Sequence, residues 1–417
     1  MDKSFLIFLA IPFFFLLIGI ELIYGYIKGK NNYRLNDAIT SINIGLISRF
    51  PTILNLGLQG AAFAYAASYW NLKLLPTNSA FTWIFAFVFY DFLYYWMHRL
   101  SHEIKFLWAT HVVHHHGEEF NLATALRQTS SGFLLKWIFF MPMFIVGIPG
   151  EVFITVGGLN LIYQFWVHTE HIPKLGWYEK IFITPSNHRI HHAKNPEYID
   201  ANYGGVFILF DRWFGTFKEE RDDLKPTYGT VKALRSWNPI WANIEVFFGI
   251  IRDSIFTKNW KDKMRVWYAP TRWRPHDVSK RFPSNPENID FYDKYNPIIP
   301  TYLKLFAWIQ SISLSPITLV IFFTLPDQGY LQTAIFGVIL IASSTIISLA
   351  FVNSSYTLLC ELLRSVLVVT VLLMNVDLFG GLLATNFILI HAYLNIIYVC
   401  GIKLLRIDKQ KPKLVSS

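Results

Sequence analysis

The chain has 417 residues, is 53% hydrophobic and 17% aromatic, and has a mean hydropathy of +0.34. Soluble domains average roughly 45–50% apolar residues on a count that includes glycine, so the excess here, gathered in blocks, excludes an ordinary soluble domain and marks membrane spans. The net charge of +9 is spread over loops between apolar blocks, which fits positive loops and an anionic lipid surface and excludes a nucleic-acid-binding stripe.

The first apolar block is 4–27. It is too long for the core of a signal peptide, has no small-residue cleavage site and is followed by Lys28 and Lys30, so it reads as a first membrane span. Further candidate spans are 39–69, 80–97, 132–148, 151–170, 303–324, 330–352, 355–375 and 378–400. Each is near the roughly 20 residues a helix needs to cross, which predicts an all-α, polytopic membrane protein with about nine transmembrane helices. The block 39–69 carries Pro51, Gly57 and Gly60, so it is expected to tilt, kink or lie partly at the interface. Between 217 and 302 the chain turns polar; 240–257 reads as an amphipathic, interfacial helix and 258–302 as an irregular linker. The expected organisation is N-terminal spans at 1–79, a catalytic region at 80–220, a linker at 221–302 and C-terminal spans with a basic tail at 303–417. Cys360 and Cys400 both fall in apolar blocks, so no disulfide framework is present.

Charge sets an expected orientation. Lys28, Lys30 and Arg34 follow the first span and place that segment in the cytosol. Alternating from there puts 98–127, 171–302 and the tail, with Lys403, Arg406, Lys409, Lys411 and Lys413, on the same side. The N-terminus falls outside.

Ten of the thirteen histidines sit in four clusters on that side: His98 and His102; His111, His114 and His115; His168 and His171; His188, His191 and His192. Their i, i+3 and i, i+4 spacings stack imidazoles on one helix face. Neutral imidazole is the commonest metal ligand and suits Fe, Zn, Cu and Ni. Ten are too many for one tetrahedral ion and enough for two. The zinc-protease HExxH motif and the Glu-x-x-His pairs of soluble di-iron bundles are both absent from these clusters. His116 points off the shared face, and His276 and His391 stand alone. Asp91, seven residues before His98 on the same face, is a carboxylate inside a span. It is a candidate to hold a ligand histidine's second ring N–H, with Glu170 as a weaker one, and Asn187, before His188, is a candidate to hydrogen-bond nearby. Glu361 and Arg364, one turn apart, read as a structural ion pair.

The motifs His98-Arg99-Leu100-Ser101-His102, His111-Val112-Val113-His114-His115 and His188-Arg189-Ile190-His191-His192 resemble the fatty acid hydroxylase and sterol desaturase superfamily of membrane di-iron oxygenases. The likeness covers roughly 80–220 and includes Asn202-Tyr203-Gly204 and Asp211-x-x-Phe214-Gly215-Thr216. Within that superfamily, His98 to Glu103, His114 to Leu122, Thr124 to Gln128 and the block 303–400 are similar to the alkylglycerol monooxygenase family. That resemblance implies two iron ions, O2 as co-substrate and tetrahydrobiopterin as electron donor. It also implies hydroxylation at the ether-bearing carbon of a glyceryl ether lipid, giving fatty aldehyde and a glycerol lipid. It implies iron ligands at His98, His102, His111, His114, His115, His188, His191 and His192, with His168 and His171 as additional ligands, and a pterin-associated acid at Glu103. Glu103 follows His102 and points about 100° away from the ligand face, where it can accept hydrogen bonds from a pterin. Asn121, Arg127 and Gln128 are candidates for head-group or cofactor binding. Implied partners are the membrane, a lipid substrate and a pterin-recycling or protein electron donor. The alternatives are a fatty acid, sterol or carotenoid hydroxylase or desaturase fed by a protein donor, and a non-catalytic metal transporter or lipid-binding module. Bacterial inner membrane and endoplasmic reticulum are both open.

Overall fold

The computed structural model describes residues 5–76, 79–283, 289, 292–324, 329–374, 382–405 and 407–409. Their regular elements are helices, with no strand among the described residues and three isolated bridges. In chain order the helices are α1 (Phe5–Ile27), α2 (Leu35–Tyr65), α3 (Ala80–Glu103), α4 (Lys105–Ala109), α5 (Val112–His115), α6 (Leu122–Ala125), α7 (Met141–Val146), α8 (Gly150–Trp166), α9 (Pro185–His192), α10 (Leu209–Trp213), α11 (Pro239–Phe256), α12 (Trp260–Tyr268), α13 (His276–Arg281), α14 (Thr301–Thr324), α15 (Tyr330–Ala350), α16 (Thr357–Met374) and α17 (Leu382–Leu404). They fall into two compact units. The first is 1–34, 51–234 and 243–293; the second is 35–50, 235–242 and 294–417.

Six described helices are long and apolar enough to cross a membrane: Ala10–Ile27, Ala80–Glu103, Thr301–Phe322, Tyr330–Ala350, Thr357–Met374 and Leu383–Leu404. The expected span at 132–148 is not a continuous helix. It breaks into 3₁₀ turns at Gly132–Leu134 and Lys136–Phe140 and the six-residue α7, which ends at Gly147 in the left-handed region (φ 103°). Pro142 at the start of α7 lacks the N–H that would carry a helix through from the preceding turns. The expected span at 151–170 is helical only as far as Trp166, as the 17-residue α8. The expected irregular linker at 258–302 holds two helices. Asn259 caps α12 by accepting from Lys261 N at 3.0 Å, and Asp277 accepts from Lys258 N at 2.8 Å.

In the first unit α3 packs against α8, α7 and the Lys136–Phe140 turn. Ala86, Phe140, Met143, Phe144, Val152 and Val156 form the core there. Ser79 starts α3 by accepting from Phe81 N at 3.2 Å. The helix then presents two faces. Phe81, Ile84 and Val88 point outward, 61%, 66% and 41% exposed. Asp91, Tyr95, His98 and His102, spaced four, three and four apart, share a buried face.

The second unit is a bundle of α14–α17, with α16 and α17 in the most extensive contact. Glu361 and Arg364 pair inside it as expected (Arg364 Nε to Glu361 Oε2, 3.2 Å). They join a wider buried network: Arg364 also reaches His391 Nε2 at 3.4 Å, which accepts from Asn395 Nδ2 at 3.1 Å. Cys360 and Cys400 are free thiols.

Candidate metal centre

Four short pieces of chain bring the histidines together. α3 delivers His98 and His102 on its last turns and stops at Ile104, whose backbone is extended (φ −101°, ψ 125°). The chain turns through α4 and returns His111, His114 and His115 on and around α5. His168 follows the end of α8. α9 supplies His188, His191 and His192; it opens with a capping box between Thr184 and Asn187 and with Pro185 in its first turn. Asn187 thus hydrogen-bonds close by, its Oδ1 accepting from Thr184 N at 3.2 Å.

Nine of the ten expected ligands meet in two buried groups. His98, His102, His111, His115 and His191 form one; His114, His168, His188 and His192 form the other. Within each group one donor nitrogen per residue lies within 4.8 Å of all the others. His171 joins neither. Its ring packs edge-on against Tyr24 at 5.2 Å, and its Nε2 would lie 3.2 Å from a Cβ on Gly25. His116 is buried but also stands outside both groups.

Backbone carbonyls fix the tautomers. His98 Nδ1 lies 2.8 Å from Tyr203 O, His114 Nδ1 2.9 Å from Arg127 O, His168 Nδ1 2.8 Å from Gln164 O and His191 Nδ1 3.0 Å from Ala201 O. A carbonyl only accepts, so each of these rings carries its proton on Nδ1 and turns a bare Nε2 inward. His114 Nε2 and His168 Nε2 are then two lone pairs facing each other at 3.3 Å. His102 Nε2 and His191 Nε2 are buried with no partner at all. Facing lone pairs and orphaned acceptors are what a cation would satisfy, and a donor set made only of imidazole suits iron, zinc, copper or nickel. The residues fit a pair of metal ions.

Electrostatics agree. Burial pushes His111, His114, His115, His188 and His192 well below the usual imidazole range, with neighbouring rings adding to the shift; it takes His168 down to about 3 and His191 to about 4. All are neutral at ordinary pH, the charge state metal ligation requires. Trp108 covers one group, 5.0 Å from His102 and 5.5 Å from His115 between centroids. Phe120 covers the other, stacked 5.6 Å from His168 and 4.9 Å from Tyr228.

Asp91 does not hold a histidine. Seven residues separate it from His98, roughly 10 Å of helix axis, so its carboxylate meets a different partner. It accepts from Asn160 Nδ2 at 2.7 Å, Val206 N at 2.9 Å and Phe207 N at 2.8 Å. Asp211 accepts from Tyr203 N at 2.7 Å, Gly204 N at 2.9 Å and Thr216 Oγ1 at 2.7 Å. Together the two acids pin the 203–207 loop, whose Tyr203 carbonyl orients His98. The loop has no spare room: a Cβ on Gly205 would sit 2.6 Å from Asp91 Oδ1.

The expected cofactor residues are occupied separately. Glu103 pairs with Arg99 at 2.8 Å, its side chain 44% exposed. Asn121 caps α6, accepting from Ala123 N at 3.1 Å and donating to Asn32 O at 2.8 Å. Arg127 is buried and donates from Nε to Val113 O at 2.9 Å, bracing the second cluster. Gln128 donates to Ala125 O at 3.2 Å.

Two residues near the site were not singled out from the sequence. Lys136 brings its Nζ to 3.3 Å from His111 Nδ1. Glu21, in the first apolar helix, accepts from Leu122 N at 2.8 Å, from Thr169 Oγ1 at 2.5 Å and from Tyr33 Oη, clasping the chain beside His168. An acid inside an apolar span is the signal that flagged Asp91, and it marked Glu21 equally.

The fatty acid hydroxylase family model matches residues 83–216, the stretch that carries both histidine groups. Human alkylglycerol monooxygenase is 40% identical over 267 residues, which is 64% of this chain and 59% of that protein. The Xenopus tropicalis alkylglycerol monooxygenase is 36% identical over 306 residues, 73% of this chain and 68% of its own length. The chain belongs to the fatty acid hydroxylase family. An ornithine lipid hydroxylase of Rhizobium tropici, 30% identical, aligns with only 37% of this family member. No solved structure matches it. The chain spans about three fifths of the length of the human relative.

Proposed function

We propose that this protein is an O2-dependent di-iron monooxygenase of the membrane that cleaves alkylglycerol ether lipids with tetrahydrobiopterin as electron donor. The observation that carries the reading is the pair of all-imidazole groups, with bare nitrogens facing each other inside a chain that aligns with alkylglycerol monooxygenases along most of its length. The proposed ligands are the nine gathered histidines; His171 is left out. When bound, the two irons would supply O2 activation: one oxygen atom enters the C–H bond beside the ether oxygen, the other leaves as water, and the reduced pterin provides two electrons.

The chain's own part is positioning. Carbonyls of Tyr203, Arg127, Gln164 and Ala201 hold four rings in the ligating tautomer. Trp108 and Phe120 keep water from the two groups. Hydroxylation at the ether carbon leaves a hemiacetal, which breaks its C–O bond to give fatty aldehyde and the free glycerol hydroxyl. Glu103 is the proposed pterin contact: its carboxylate is reachable from solvent, one residue past His102.

The basic segments support a cytosolic site, with α2 counted as a crossing helix and α7 and α8 entering and returning on one side. A bacterial inner membrane or the endoplasmic reticulum fits equally. The test is the iron-loaded protein in nanodiscs with an alkylglycerol and O2, with and without tetrahydrobiopterin, read as fatty aldehyde by mass spectrometry. Pterin-dependent aldehyde is the expected result. Bound iron without aldehyde would move the assignment to another lipid, or to a hydroxylase or desaturase with a protein electron donor.

A further inference from the structure

Helices α11 and α12 are amphipathic in an unusual sense: both of their faces are used, and the outward one is apolar. The inward faces meet on one core, where Ile250 of α11 and Val266 of α12 pack on Ala109 of α4. α4 is the segment between His102 and His111, so this pair of helices backs directly onto the chain that delivers two gathered histidines. The outward faces carry Ile244, Ile251 and Ile255 on α11 and Trp260, Met264 and Tyr268 on α12, between 44% and 79% exposed. The α12 set recurs every four residues, so it forms one stripe along that helix.

The charge around these stripes is one-sided. Residues 252–281 hold nine Lys and Arg against three Asp. Asp253 is taken by Arg252 and Arg274, and Arg272 pairs with Asp200. Lys258, Lys261, Arg265, Lys280 and Arg281 are exposed and make no ion pair among the described residues. Arg281 lies over the Phe256 ring at 4.9 Å, at the rim of the apolar face. Exposed Trp, Tyr and Ile flanked by unpaired cations is the chemistry of a helix seated at an anionic bilayer surface, with apolar side chains below the head groups and cations at phosphate level. A soluble partner would have to match the same pattern from water, whereas this unit already carries apolar membrane-length helices, α1 and α3.

We propose that α11 and α12 form a docking platform for anionic phospholipid head groups, holding α4 and its flanking histidines at the bilayer surface. The platform does not depend on which lipid the site oxidises.

The test uses the full chain with Cys360→Ser and Cys400→Ser, and Met264→Cys carrying an environment-sensitive nitrobenzoxadiazole dye. It is reconstituted in vesicles of phosphatidylcholine alone and of phosphatidylcholine with phosphatidylglycerol. The expected result is quenching by a lipid-borne nitroxide and protection from aqueous iodide, both stronger with phosphatidylglycerol. Each cation near an anionic surface is worth roughly fivefold in the docked-to-undocked ratio, so glutamine at the five unpaired cations should bring the phosphatidylglycerol signal down to the phosphatidylcholine level. Iodide quenching in both vesicles would overturn the platform. Nitroxide quenching that is equal in both, and unchanged by the glutamines, would overturn its anionic specificity. Protection from iodide that disappears when the protein is diluted among more vesicles would assign the face to a second copy of the chain and overturn the proposal.

Discussion

Asp211→Asn tests whether the loop behind His98, rather than the histidine inventory alone, sets metal affinity. The carboxylate of Asp211 is fully buried and accepts three bonds, from Tyr203 N, Gly204 N and Thr216 Oγ1. An asparagine has one acceptor oxygen. Its best orientation keeps that oxygen on Tyr203 N and turns an NH2 group toward the Gly204 N–H, leaving a buried donor unpaired. That costs about 1–3 kcal/mol, and losing the charge on the remaining bonds costs about another 1–2 kcal/mol. The loop carries the carbonyl that fixes the His98 tautomer, so the local penalty becomes a loss of ligand orientation. Partners of this kind are worth about 10–100-fold in metal affinity. The measurement is Fe(II) affinity by chelator competition on the detergent-purified protein, with amide exchange over 202–206 read in parallel. Trp213→Ala, 68% exposed on the same short helix, is the control and should bind iron normally. Thr216→Val removes the hydroxyl's bonds to Asp211 and to Tyr95 Oη (3.0 Å) but leaves both backbone bonds to Asp211, and should fall between the two. If Asp211→Asn binds iron like the parent while its loop amides exchange faster, the tautomer argument is wrong.

Further expectations concern single residues. His168→Ala should remove iron from the four-histidine group, and His171→Ala should leave iron content unchanged; equal loss in both, by elemental analysis, would restore His171 as a ligand. Gly205→Ala forces a Cβ to 2.6 Å from Asp91 Oδ1 and 3.0 Å from Asn160 Oδ1, and should lower thermal stability by about 1–3 kcal/mol; a stability equal to the parent's would show that the loop has slack. Lys136 is pushed down to about 8 by burial. Below that pH its ammonium donates to His111 Nδ1, which places the ring proton on Nε2; above it the neutral amine accepts from Nδ1–H and frees Nε2 for metal. The gathered histidines outside the spans are already neutral at pH 7, so they contribute no slope. Anaerobic Fe(II) affinity should therefore rise between pH 7 and 9 in the parent and stay flat in Lys136→Met, and an identical rise in both would refute the coupling.

Pattern and structure part company where distant segments meet. The apolar runs at 132–148 and 151–170 have span-like composition. Whether such a run stays one helix depends on backbone detail such as Pro142 and the left-handed Gly147, which a hydropathy window averages away. The segment 258–302 read as a linker because charge hides its stripe of Trp260, Met264 and Tyr268 at helical spacing. Asp91 was rightly marked as an unusual buried acid, but its partners are backbone N–H groups at 206 and 207, more than a hundred residues away in sequence.

By itself the sequence determined which atoms are on offer: apolar runs long enough to cross a bilayer, and imidazoles three or four residues apart, whose stacking follows from helical pitch alone. It could not determine how those imidazoles divide. The split into a group of five and a group of four sends His114 and its neighbour His115 to different groups, because adjacent residues on a helix point about 100° apart and each meets whatever packs on its own side. Only the tertiary structure could choose the tautomers as well, since a ring proton goes to the carbonyl that reaches it. Those of Tyr203 and Ala201 arrive from a loop that lies far along the chain from His98 and is held in place by Asp91 and Asp211.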